Sequence, residues 1–425
     1  MKTIIALLLF VLFTAQTTLS QAQKSLQILF SESIAAYEAE DHTEFLRLTR
    51  HANQLRPYHP TITYNLAAAY SLTGKLDSSA LWLNEVIKMN SSVDYKADKD
   101  FENLLSESSR TESFDTLKST LKQVVEKSTI YQSVGSPAHI ESIAFDEGSD
   151  KLFLGSVNDR KILFGDSKTG FKEWVSSVEV PNMYSVMGLE YDESSRSLWA
   201  CTAALSEMEG YNKSLKGRST VFQFDIETRE IITQAQIQEG NTFGDLFLLA
   251  NGEVLISDAV KNIIYSLKSG TSEFTIWADL SDEAFNLQGL TINKSKGFLI
   301  VSDYLSGLYK MDLKSKELLS INMPDQFSKK GFDGIYLSDN HLLVSQNGTK
   351  PMRVIDFVFD QGFGEIISWN VIDQNAKYLN EPTQGFVNDG VFYFISNSQW
   401  GNYEDGHFNR KKVKPTMIRK YILEN

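Results

Sequence analysis

The chain has 425 residues, 42% of them hydrophobic, which is enough for more than one domain and for well-filled cores. A formal net charge of −13 and a pI near 5.1 exclude nucleic acid and anionic membrane surfaces as natural partners, because no basic stripe offsets the repulsion and the Arg410 to Lys414 cluster is too small to change that. A single cysteine, Cys201, rules out internal disulfides as a source of stability.

Residues 1–22, MKTIIALLLFVLFTAQTTLSQA, hold one Lys, an apolar run from Ile4 to Phe13 and then small polar residues. The run is well short of the ~20 residues a membrane span needs, so the segment predicts a secretory signal peptide cleaved near Ser20 or Ala22. The mature protein is expected to be secreted or periplasmic, with no membrane span, and no Cys follows the cleavage region to carry a lipid. Sequons at Asn90, Asn212, Asn293 and Asn347 matter only in a eukaryotic secretory route.

Residues 23–127 show apolar positions at helical spacing. Leu66, Ala67, Tyr70, Gly74, Leu76, Ala80, Leu83 and Val86 resemble a tetratricopeptide repeat, in which small residues let two antiparallel helices approach and a glycine turns the chain between them. A degenerate copy with Tyr37, Asp41 and Leu46 precedes it. A generic bundle of helical hairpins is the alternative, since such repeats usually stack three or more units.

From 128 to 425 the period switches to two. A first strand recurs as ESIAFD at 141, MGLEYD at 187, GDLFLL at 244, QGLTIN at 288, DGIYLS at 333 and QGFVND at 384, each followed by two further strand patterns. The spacings of 46, 57, 44, 45 and 51 residues match one four-stranded propeller blade, so six copies predict a six-bladed β-propeller. The expected fold class is multidomain, α plus all-β: tetratricopeptide-like helical hairpins, then the propeller. Ring closure should pair TIYQSV at 129–134 with MIRKYIL at 417–423 in the last blade.

Such a ring brings the heads of the first strands to one mouth: Glu141, Met187, Gly244, Gln288, Asp333 and Gln384. Two carboxylates and two amides around a narrow opening repel or stay underbonded unless a cation or a hydrogen-bonding guest fills the gap. Ca²⁺ or another divalent cation that prefers oxygen suits such a set, whereas no His or Cys spacing suggests zinc. The alternative is that Glu141 and Asp333 bind channel water and backbone amides.

The stretches PAHIESIAFDEGSDKLFLGSVNDRKI, LQGLTINKSKGFLIVSDYLSGLYKMD and GFDGIYLSDNHLLVSQ look like the senescence marker protein, gluconolactonase and strictosidine synthase-like group of six-bladed propellers. The resemblance covers about residues 137–423. It implies a divalent metal held by Glu141, Gln288 and Asp333, with Gln288 standing where an asparagine is expected. Gly244 replaces a further asparagine near the substrate, while the acidic neighbour Asp245 is kept. The activity implied is hydrolysis of a small lactone or ester, with the cation polarising the carbonyl and Asp333 or Glu141 acting as base on water. His139 is a candidate proton carrier beside Glu141 or a histidine of the wet channel. No GxSxG elbow indicates a serine nucleophile.

The competing class is a non-catalytic adaptor, with a peptide or protein partner on the helical repeats and a small ligand at the propeller mouth. Long loops at 204–217 and 398–408 are expected to cover a mouth or make contacts, so Trp400, Tyr403 and His407, with Asp245, Gln384 and His139, complete the candidate ligand contacts.

Overall fold

The computed structural model describes residues 25–238 and 240–423; the expected signal peptide lies outside them. The chain forms two compact units, Met1–Leu121 and Lys122–Asn425. No helix among the described residues is long and apolar enough to cross a membrane.

The first unit is helical: α1 (25–38), α2 (His42–Leu55), α3 (Pro60–Leu72), α4 (Leu76–Met89), a short α5 (Glu102–Leu105) and α6 (Ser108–Lys122). Each boundary has a local cause. Asp41 caps α2 by accepting from the Glu44 amide at 3.0 Å, and Pro60 opens α3, where its missing N–H costs nothing. Gly74 takes φ +72° between α3 and α4, a conformation without steric penalty only for glycine. Ala67, Ala68 and Ala69 on α3 let α4 approach and bury Leu83 and Ile87. The helical hairpins expected from the apolar spacing are therefore present among the described residues.

The second unit is a ring of six antiparallel sheets. Their innermost strands are Ile140–Asp146, Ser185–Asp192, Phe243–Leu248, Leu287–Asn293, Phe332–Ser338 and Gly385–Asn388. The strands read as nearly continuous apolar runs because adjacent blades cover both faces; Lys151–Ser156 is buried at all but its first residue. One such inter-blade core joins Phe153 and Ile162 of blade 1 to Val186, Leu198 and Phe222 of blade 2.

Thr129–Val134 pairs with Thr416–Ile422, so the outermost strand of blade 6 comes from the other end of the chain. This closes the ring as expected and leaves no open edge between first and last blades. Blade 5 also gains a fifth strand, Val125–Glu126, paired with Asp373 and Gln374, which the period-two pattern was too short to reveal.

Candidate functional site

The strand heads converge as the repeat predicts. Glu141, 6% exposed, accepts three side-chain hydrogen bonds: Oε1 from Thr383 Oγ1 at 2.8 Å, and Oε2 from Trp400 Nε1 at 2.9 Å and from Ser398 Oγ. Asp333 accepts through Oδ2 from Asn347 Nδ2 at 2.6 Å and from Thr383 Oγ1 at 3.2 Å. One hydroxyl thus touches carboxylates of blades 1 and 5, and its single proton cannot satisfy both. Burial, and then the charge of Glu141, push Asp333 up to about 7, against the lowering effect of Asn347 and Thr383. A proton on Asp333 completes the chain, since the acid donates to Thr383 and Thr383 donates to Glu141.

Gln288 joins this mouth by a different route. Its Nε2 donates to Asn286 Oδ1 at 2.7 Å, and its Oε1 lies over Gly244, where an added Cβ would come within 3.0 Å. The glutamine and the glycine therefore belong together: the longer amide occupies space that a side chain at 244 would take. Asn347 contributes an amide oxygen that is buried and without a donor, while its nitrogen holds Asp333 and the Pro382 carbonyl.

Beneath the heads, Gln384 reaches from blade 6 across the axis. Its Nε2 donates to the Met187 carbonyl of blade 2 at 2.7 Å and to Asp245 Oδ1 of blade 3 at 3.2 Å. Asp245, 9% exposed, also accepts from the Leu246 amide at 2.8 Å. Gly188 makes the crossing possible, because a Cβ there would meet Asp245 Oδ1 at 3.0 Å and Cys201 Sγ at 2.9 Å. Burial holds the Asp245 carboxyl well above the ordinary range, and it pushes up the Cys201 thiol, which therefore stays protonated near neutrality.

His139 lies beside Glu141, as one of its two expected placements has it, but it is fully enclosed rather than in a wet channel. The loop after residue 397 folds over it: Phe408 stacks on the ring at 5.8 Å, Trp400 meets it edge-on at 4.5 Å, and Tyr403 Oη bonds Nδ1 at 2.8 Å. Nε2 lies 3.0 Å from Ser398 Oγ and 3.7 Å from Glu141 Oε2. The expected ligand contact Trp400 is thereby committed to Glu141, while His407 is exposed on the small hairpin of Tyr403–Glu404 and His407–Phe408.

Thr383, Asn347, Ser398 and Glu190 take part without having been singled out as site residues. Asn347 was visible only as a sequon. Glu190 stood as the one charge in MGLEYD before its closing aspartate, and its carboxyl, pushed up to about 8 by burial, faces the axis below Asp245. Among the described residues no three His, Cys, Asp or Glu side chains group to hold a metal, so a cation at the mouth also needs amide oxygens. Those of Gln288 and Asn347 fit that need.

No family model matches the chain, and no curated protein matches it by sequence. Among solved structures the chain is similar to a glucose dehydrogenase, at 15% identity over 70% of this chain and 100% of that one, with a TM-score of 0.48. A Thermus thermophilus oxidoreductase described as a glucose dehydrogenase is similar at 12% identity, covering 69% and 100%, with a TM-score of 0.46. A nidogen/laminin complex is similar at 14% identity, covering 59% and 86%, with a TM-score of 0.42. None of these likenesses reaches a level at which a site transfers.

Proposed function

We propose that this is an exported propeller protein whose strand-head mouth binds a divalent cation, Ca²⁺ being the best chemical match, and through it a small oxygen-rich ligand. Residues 1–22 act as the export signal in this reading. The observation that carries it is the meeting of buried Glu141 and half-buried Asp333 at one hydroxyl, with no lysine or arginine of the described residues among their hydrogen-bond partners. Like charges in a poorly solvated mouth favour either a held proton or a cation, and the buried, unpartnered amide oxygen of Asn347, with that of Gln288 beside Gly244, favours the cation.

When bound, such a cation polarises a carbonyl or phosphoryl oxygen. Of the two carboxylates Asp333 is the one suited to serve as base toward a lactone or ester, because Glu141 already accepts from three donors. That saturation also favours a second reading, a non-catalytic binding protein in which Glu141 is a strut for the 398–408 loop.

Thermal unfolding in Ca²⁺ and in chelator tests the proposal. A rise in melting temperature with Ca²⁺ that disappears in Asp333→Asn supports the cation site by mass action. Equal melting temperatures in Ca²⁺, Mg²⁺ and chelator contradict it. Turnover of a lactone panel, lost in the same variant, separates the enzyme from the binding protein.

A further inference from the structure

Below the Gln384–Asp245 crossing the axis opens into a second space, a cavity of about 330 Å³. Its lining reaches Glu147, Glu193 and Asn388, at or just past the ends of inner strands, so it opens at the mouth opposite Glu141. Phe145, Phe247, Phe386 and Tyr336 provide aromatic wall. Carboxyl groups stand at two depths, Asp245 and Glu190 inside and Glu147 and Glu193 at the rim. No lysine, arginine or histidine lines it. Asp245 is nine-tenths buried and bonded to Gln384 and the Leu246 amide, whereas the half-buried Glu190 carboxyl accepts no hydrogen bond among the described residues. Among the described residues no three His, Cys, Asp or Glu side chains group to hold a metal, so a guest whose charges are spread along the axis matches this lining better than a compact cation.

We infer that this cavity binds a linear aliphatic diamine, with one ammonium between Glu190 and Asp245, the other at Glu147 and Glu193, and the methylenes against the aromatic wall. Three residues of extended strand, about 10 Å, separate Glu190 from Glu193, a span that a short diamine covers with an ammonium–carboxylate contact at each end. The aromatic faces add cation–π attraction for either end as it passes. The groups facing the guest are Glu190, Asp245, Glu147, Glu193, Tyr191 and Tyr336, and Asp333 bears on Asp245 from above. Burial raises Asp245 and pushes Glu190 up to about 8, so an ammonium that enters beside the protonated Glu190 releases its proton and binding tightens as pH rises toward 8.

The experiment is calorimetric titration of the full chain with 1,4-diaminobutane, n-butylamine and 1,4-butanediol, at pH 7 and 8.5 in buffers of differing ionisation enthalpy. The diamine should bind at least about tenfold more tightly than the monoamine, with proton release, and the diol should give no heat. Glu190→Gln should weaken both amines about tenfold or more, whereas the Glu147→Gln/Glu193→Gln pair, exposed enough not to disturb folding, should weaken only the diamine. Diol binding equal to that of the diamine, absence of heat with every probe, or unchanged affinity in Glu190→Gln would overturn the inference. Because the cavity lies beyond the crossing, failure here leaves the cation site at Glu141 and Asp333 untouched.

Discussion

Glu141 and Asp333, 192 positions apart in the chain, both lie within hydrogen-bond distance of one hydroxyl, that of Thr383, at 2.8 and 3.2 Å. The closed ring makes this contact: blades 1 and 5 are separated by blade 6, and Thr383 stands at the start of that intervening blade. Removing the hydroxyl should therefore be felt by both acids. Thr383→Val keeps the volume and deletes the donor, and is expected to cost about 1–3 kcal/mol of unfolding free energy, with Thr383→Ser retaining most of it. Urea denaturation of the two variants checks this; equal stability of Thr383→Val and the parent would mean that the hydroxyl links nothing of consequence.

The same burial dictates a pH dependence. Asp333 and Glu190 have folded-state values raised to about 7 and about 8, from 3.8 and 4.5. The folded state thus holds more protons than the unfolded one in that window, and the stability these groups lend at low pH is lost as pH rises through 7 and 8. Asp333→Asn should flatten the decline between about pH 4 and 7, and Glu190→Gln the part extending to about 8. Unfolding free energies at pH 5, 7 and 8.5 measure both; declines identical to the parent's would show that neither carboxyl is desolvated.

Gly244 and Gln288 should behave as a pair. Gly244→Ala places a methyl 3.0 Å from Gln288 Oε1 and displaces it, so Ca²⁺ affinity should fall, while in a Gln288→Ala background the same change should do little. A coupling of about 0.5–3 kcal/mol in a double-mutant cycle on Ca²⁺ binding is expected. Strict additivity would put the two residues in separate roles.

The loop over His139 is tied down at both ends, by Ser398 and Trp400 at Glu141 and by Arg410 at Asp159, Asn158 and the Pro137 carbonyl, and its own sequence offers a readout of the first tie. Trp400→Phe keeps the ring against His139 but removes the N–H that reaches Glu141 at 2.9 Å. Trypsin cleavage at Arg410, Lys411, Lys412 or Lys414 should then accelerate several-fold, because local opening exposes the segment. An unchanged cleavage rate would mean that the Glu141 contact does not anchor the loop.

The six-blade ring was legible because both faces of each strand are buried, which imposes the same apolar pattern six times, and because spacing near 50 residues admits few alternatives. The meeting of Glu141 and Asp333 at one mouth followed from that repeat. Thr383 did not, since it lies one residue ahead of a strand head, in a segment with no period. Asn347 acts from the end of a second strand, where the repeat assigns no axial role. The enclosure of His139 depends on a loop inserted in one blade alone, so nothing recurs to reveal its packing. Gln288 and Gly244 looked in sequence like two separate departures from the resembled pattern, and only the 3.0 Å approach of one to the space above the other joins them.

The claim on which the account rests is that oxygens of Asp333, Glu141, Gln288 and Asn347 share one cation. Anomalous diffraction from crystals of the full chain soaked in Mn²⁺, a divalent ion that also prefers oxygen ligands, tests it most directly. The account predicts a single strong peak at the strand-head mouth, within coordination distance of Asp333 and lost in Asp333→Asn. A map with no peak there, or with its peak on the exposed acidic surface alone, would contradict it.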